Sequence, residues 1–306
     1  MTSSDVQVYL ACDREYVAPA AVTIASIEST TSSRVSYHVL THEFPEEAAE
    51  ALKRLADVDI VEVGDALEHL GVKSKARIAS PAYYRLLIPK LAKGDRCVYT
   101  DVDVVFADDI AKASATDLDG MMVGAVRDVQ GYSFFQASPL VRDYWENVVG
   151  ADPKTYFCSG FLVMDLNALR LADLPFLETA RSYPWAFHDM DVLNHLLVGS
   201  VKMLDSRWVV MPPCKYKAEY LSEEEKKQWQ EAQDNPAVYH YAGDAKPWND
   251  PLMWESGRWW SVAKSLPEPL YQESLALLAR SSAKQAWSVY NAQIASLQTA
   301  VERLGG

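Results

Sequence analysis

Two carboxylates inside an apolar run constrain this chain more than any other feature. The run is Cys97-Val98-Tyr99-Thr100-Asp101-Val102-Asp103-Val104-Val105-Phe106. Its β-branched and aromatic residues read as one strand buried on both faces. An ionised carboxylate in a core is costly unless it is paired or holds a metal. Asp101 and Asp103 stand two apart, so at a strand end their side chains point the same way. Two parallel carboxylates make a hard oxygen site for Mn²⁺ or Mg²⁺, and such a cation can hold nucleotide phosphates. The other reading is ordinary strand-end or helix-capping carboxylates. The rest of the chain decides between them.

Strands and helices alternate before this run. Val6 to Cys12 reads as a strand ending in a polar turn, Asp13 to Tyr16. A helix is expected from about Pro19 to Ser29, with Pro19 at its first position. Val35 to Leu40 reads as a strand, Glu46 to Ala56 as a helix and Asp59 to Val63 as a strand. This alternation predicts an α/β fold with a parallel sheet. Its ligand crevice lies at the carboxyl ends of the strands, where Asp13, Tyr16 and the two aspartates fall.

Further on, Pro81 to Pro89 reads as a short helix carrying Arg85. That arginine suits a bidentate phosphate contact, although spacing alone favours a surface ion pair. Val123 to Val126 is a strand ending at Arg127-Asp128. Tyr156 to Asp165 reads as a turn feeding a core strand, with Gly160 suited to a close backbone approach. A helix opens near Phe187 and runs through Leu197. Asp189 there is either a capping acid of its first turn or a site residue. Pro236 to Gly243 is a late strand. His240 in it has a backbone partner as its ordinary role, and becomes a metal ligand only beside carboxylates.

Past Pro267 the composition shifts, giving a domain over 1–266 and a helical segment over 267–306. Tyr290, Ile294, Leu297, Val301 and Leu304 recur at spacings of four and three. That seam suits a partner chain, as in a homo-oligomer, or the helix's own domain. From Ser261 onward four Lys/Arg face three Glu, which is not the basic face of a membrane-surface helix. Membrane association is therefore expected to be peripheral at most. The formal net charge of -13 argues against nucleic-acid binding, which depends on clustered Lys and Arg. Cys12, Cys97, Cys158 and Cys214 show no Cys-x-x-Cys spacing and read as reduced thiols. A short polar start and no long apolar run predict a cytoplasmic protein, with the inner face of the membrane as its furthest reach.

Several stretches then fall into a known order. They are Val8 to Tyr16, Tyr84-Arg85-Leu86, Val98 to Asp103, Tyr156-Phe157-Cys158-Ser159-Gly160, Asp189 to Asn194, and His240 to Trp248, with Ser206-Arg207-Trp208 and Met211-Pro212 between. Over roughly residues 6 to 250 the chain resembles the family 8 glycosyltransferases, among them bacterial lipopolysaccharide α-galactosyltransferases and glycogenin. The resemblance implies a GT-A fold: a Rossmann-like, mostly parallel central sheet flanked by helices, here with a C-terminal helical extension. It implies a UDP-sugar donor, Mn²⁺ (or Mg²⁺), and hexose transfer with retention to a glycan or glycolipid acceptor in surface polysaccharide or lipopolysaccharide synthesis. Carried over by position, Asp101, Asp103 and His240 would hold the metal. Asp13 and Tyr16 would hold the uracil, with Ala11 and Val102 also on the donor. Gly243 and Lys246 would contact the diphosphate. Arg85, Asp128 and Asp189 would lie along the sugar and ribose, with Asp128, Asp189 and Lys246 in catalytic roles.

Two positions depart from the family's usual pattern. Met190 stands where Gln is usual, and Cys158 where Asn is usual. A thioether is a weak acceptor, so Met190 suits a front-face reaction that needs no enzyme nucleophile. Cys158 reads as a small apolar filler. The rival expectation is a catalytically inactive nucleotide-sugar or glycan binding protein. Trp248, Trp254, Trp259 and Trp260 are either core residues or stacking surfaces for sugars.

Overall fold

A computed structural model describes residues 5–64, 81–213, 219 and 221–284. Seven strands form one sheet: β1 (Val6–Ala11), β2 (Val35–Thr41), β3 (Val58–Glu62), β4 (Arg96–Thr100), β6 (Val123–Arg127), β7 (Phe157–Asp165) and β8 (Val201–Met203). Their order is β3-β2-β1-β4-β7-β6-β8. The β1/β2, β2/β3, β1/β4 and β6/β8 pairs are parallel, and β7 alone runs against both its neighbours. The helices Val17–Thr30 and Glu46–Leu55 make the crossovers between the parallel strands β1, β2 and β3.

Alternation along the strands builds two cores. Val8 and Leu10 face one side with Val98 and Val163, while Tyr9 faces the other with Tyr99 and Leu162. β7 is buried over its whole length except Asp165, as expected for a strand covered on both faces.

The carboxylate run is not one strand. It breaks after Thr100, and β5 (Val104–Phe106) leaves the large sheet to pair antiparallel with β9 (Val238–His240). The broken ladder is compensated group by group. The Asp101 amide donates to the Gly160 carbonyl at 2.9 Å, and the Tyr241 amide to the Asp103 carbonyl at 2.9 Å. The Thr23 hydroxyl, on the first helix, is shared between the carbonyls of Val102 and Val104 at 3.1 Å each.

A helix over 268–284 follows Ser256–Ala263. Leu266 and Leu270, with Leu277 beside them, pack into the same core as the first helix. The seam from Tyr290 to Leu304 lies outside the described residues. Trp248 and Trp259 are buried core residues, and Trp254 and Trp260 are partly buried against the same core. Cys12, Cys97 and Cys158 are buried free thiols; Cys214 lies outside the described residues. Among the described residues no helix is long and apolar enough to cross a membrane.

Candidate active site

The strand break creates the site. Asp101 directly follows β4, Asp103 directly precedes β5, and His240 pairs directly opposite Val104. One ligand atom from each of Asp101, Asp103 and His240 falls within 4.8 Å of the others. His240 Nε2 is 3.3 Å from Asp103 Oδ1 and 3.6 Å from Asp101 Oδ2. Two carboxylates and an imidazole form a donor set that fits a divalent cation of the Mn²⁺ or Mg²⁺ kind. The room for it comes from Gly160, where a β-carbon would stand 2.7 Å from Asp101 Oδ2. The close approach expected at this glycine is therefore real.

Charge in the cluster is balanced inside the protein. Burial alone would raise the Asp103 carboxyl, but Lys246 and His240 outweigh it and hold it below the usual carboxylate range. Burial likewise disfavours a charged His240, and Asp103 reverses that, lifting the imidazole above its ordinary value. Cys158 is buried beside this imidazole.

Arg85 is not the surface ion pair that its spacing favours. Its side chain is only 6% exposed, lying between two acids. Nη2 is 2.7 Å from Asp101 Oδ1 and Nε is 3.1 Å from Asp189 Oδ2. Nη1 donates to the Ser159 carbonyl at 2.6 Å, and the guanidinium lies 4.4 Å over the Tyr99 ring. Tyr99 donates to Asp101 Oδ1 at 2.9 Å. A surface pairing loses here because the partners converge on a buried cation that needs them. Arg85 thus joins a carboxylate of the candidate cation site to Asp189.

Asp189 is an acid of the helix's first turn, one of its two expected capping roles, but not the N-cap. It is the first residue of the helix Asp189–Leu196, and His188 before it makes no side-chain cap bond. Ser159 donates to Asp189 Oδ2 at 2.8 Å. Burial pushes its carboxyl up to about 6, against the pull of Arg85. Two residues on, Asp191 points into the core. It accepts from Tyr156 and Tyr144 at 2.6 Å each and from the Phe187 amide at 2.7 Å. These bonds fix the turn that carries Phe187 and His188, the latter at φ 56°. Asp128 follows β6 and accepts from the Gly131 amide at 2.9 Å, capping the helix Val129–Ala137.

A cavity of about 620 Å³ collects these groups. Arg85, Asp101, Asp103, Asp128, Asp189, His240 and Gly243 line it, with Ser159, Gly160, Cys158 and Met190. Ala11, Asp13, Tyr16, Val102 and Lys246 are not in its lining. Ala11 is the buried end of β1 and Asp13 caps the short turn after it. Tyr16 meets the edge of Trp248 with ring centres 5.9 Å apart. The Val102 side chain is buried in the core. Lys246 is paired with Asp103 without being among the residues that line the cavity.

The sequence profile of Glycosyl transferase family 8 matches residues 7–251. The chain belongs to that family. It is a glycosyltransferase of the hexosyltransferase type, and the mixed sheet described above is the family's GT-A fold. General stress protein A of Bacillus subtilis is 29% identical over 211 residues, covering 65% of this chain and 69% of that protein. The lipopolysaccharide 1,2-glucosyltransferase of Escherichia coli is 26% identical over 178 residues, covering 55% and 48%. Among solved structures, galactosyltransferase LgtC with donor and acceptor sugar analogues superposes with a TM-score of 0.72 at 25% identity, covering 88% of this chain and 100% of that one. The bifunctional glycosyltransferase WbbM gives 0.77 at 21% identity. The family 8 chain here aligns over 88% of its own length but spans about half of WbbM, 52%.

Within this family 8 site, Ser159, Tyr99, Tyr144, Tyr156 and Asp191 were not singled out as functional from sequence. Tyr99, Tyr156, Ser159 and Asp191 lie in stretches that carry the resemblance, which was the signal available; Tyr144 lies in none of them.

Proposed function

We propose that this family 8 enzyme moves a hexose from a UDP-sugar to a glycan or glycolipid acceptor, with retention of configuration and with Mn²⁺ or Mg²⁺ bound. The observation that carries the reading is the convergence of Asp101, Asp103 and His240 within 4.8 Å at a cavity of about 620 Å³. A surface polysaccharide or lipopolysaccharide acceptor is supported by the similarity to the E. coli lipopolysaccharide 1,2-glucosyltransferase. Such an acceptor suits work at the inner face of the membrane.

Asp101, Asp103 and His240 would hold the divalent cation, which would supply positive charge against the negative charge developing on the leaving diphosphate. Lys246, bonded to Asp103, brings a second positive charge to the same end of the site. Asp13 and Tyr16, at the end of β1, receive the uracil, with Ala11 and Val102 alongside. Gly243, with φ 96°, lets the backbone approach the diphosphate. Asp189 and Asp128 face the sugar from the cavity wall and stabilise positive charge at the anomeric carbon. Met190 at this wall offers no strong acceptor, which suits a front-face transfer in which the leaving phosphate takes the acceptor's proton. Residues 1–266 carry the whole reaction in this reading.

The test is a donor panel with Mn²⁺: UDP-Glc, UDP-Gal, UDP-GlcNAc, UDP-GalNAc and GDP-sugars, with release of free nucleotide followed with and without EDTA. The expected result is release of UDP from one UDP-sugar, stopped by EDTA and by Asp103→Ala. No turnover of any donor, together with no UDP binding by calorimetry, would overturn the reading.

A further inference from the structure

Lys246 lies on a carboxylate that the metal needs. Its Nζ is bonded to Asp103 Oδ2 and donates to the Tyr241 carbonyl at 2.7 Å. The side chains of Lys246 and Asp103 are each only 14% exposed. The Lys246 amide donates to Asn249 Oδ1 at 2.7 Å, which fixes the base of the turn. The turn between Tyr241 and Lys246 contains Gly243, whose left-handed backbone allows φ to change at little steric cost.

An ammonium and a divalent cation repel, and both draw on the one negative charge of Asp103, Lys246 at Oδ2 and the cation at the oxygen facing His240, Oδ1. A cation entering alone weakens the Lys246–Asp103 pair by taking up the same carboxylate charge and repelling the ammonium. It would leave an ammonium largely buried without a counter-charge, which is expensive. A nucleoside diphosphate brings the negative charge that the released ammonium then needs. We infer that Lys246 is a built-in substitute cation for Asp103, displaced by metal and nucleoside diphosphate together, so that each ligand binds weakly until the other is present. The coupling is reciprocal: whatever the diphosphate gives to metal affinity, the metal gives back. The inference rests on the donor and metal reading above. It adds an order to that reading, because metal loading waits on the donor.

The test is calorimetric titration of Mn²⁺ into the full chain, alone and with saturating UDP, with Mn²⁺–UDP association in solution subtracted. Lys246→Met and Lys246→Arg are compared with the unaltered protein, their folding checked by circular dichroism. Lys246→Met is expected to bind Mn²⁺ alone about tenfold or more tightly than the unaltered protein, and to gain less from UDP, within the range usual for coupled sites. Lys246→Arg keeps the charge and is expected to match the unaltered protein. Mn²⁺ binding to Lys246→Met no tighter than to the unaltered protein would overturn this inference while leaving the donor reading intact. No Mn²⁺ binding to any of the three, with or without UDP, would sink the metal reading along with it.

Discussion

A β-carbon on Gly160 would stand 2.6 Å from Cε1 of His240. No real side chain tolerates that, and the same carbon would meet the Asp101 carboxylate. Gly160→Ala must therefore push His240 or Asp101, two of the three candidate ligands, out of place. Overpacking of this kind costs about 1–3 kcal/mol. If the strain falls on the cluster, Mn²⁺ affinity falls by about tenfold or more. Calorimetry checks it: unchanged Mn²⁺ binding in Gly160→Ala would mean the cluster is not the cation site.

Arg85 sits between Asp101 and Asp189, with further bonds to Ser159. Lysine has one compact charge and cannot span two carboxylates as the guanidinium fork does. Arg85→Met leaves two acids without their shared cation, and breaking such a buried pair costs about 3–5 kcal/mol. Urea denaturation is expected to rank the unaltered protein above Arg85→Lys, and Arg85→Lys above Arg85→Met. Equal midpoints would show that Arg85 contributes no stability.

The Asp191 carboxylate is anchored by two tyrosine hydroxyls. Hydrogen bonds to a charged group contribute about 1.5–3 kcal/mol. Tyr156→Phe and Tyr144→Phe are each expected to lose stability in that range. Because both act on one carboxylate, their losses should not add. A strictly additive double variant in chemical denaturation would argue against a shared anchor.

Burial pushes Asp189 up to about 6, whereas an unfolded aspartate titrates near ~3.9. The folded protein holds this proton more tightly, so the group's contribution to stability is complete below about pH 4. It is lost as pH rises towards about 6. Relative to Asp189→Asn, which does not titrate, the unaltered protein should therefore lose stability over that window. Denaturation curves of both proteins at several pH values decide it. A constant difference between them would contradict the burial argument.

The alternation of elements was legible because each strand's pattern is local. The same holds for Gly160, whose lack of a side chain in a core strand signals close approach. The break after Thr100 was not legible. It is satisfied by the Thr23 hydroxyl and by β9, both far away in the chain. Spacing alone misplaces Arg85 on the surface for a similar reason, since its burial follows from acids at 101 and 189 that its own neighbourhood does not mention, whereas the resemblance puts it in the site. Asp189 and Asp191 stand about 200° apart around a helix. One must face the cavity if the other faces the core, but sequence alone does not say which.

The three candidate ligands straddle two sheets: Asp101 follows the end of β4 in the large one, Asp103 precedes β5, and His240 ends β9 in the small one. A bound ion would therefore act as a rivet across a seam that backbone ladders do not bridge. Loosening β9 would dismantle the site while the seven-stranded sheet stood untouched. Occupancy should then be felt as protection against amide exchange in β5 and β9, well before the melting temperature of the whole moves.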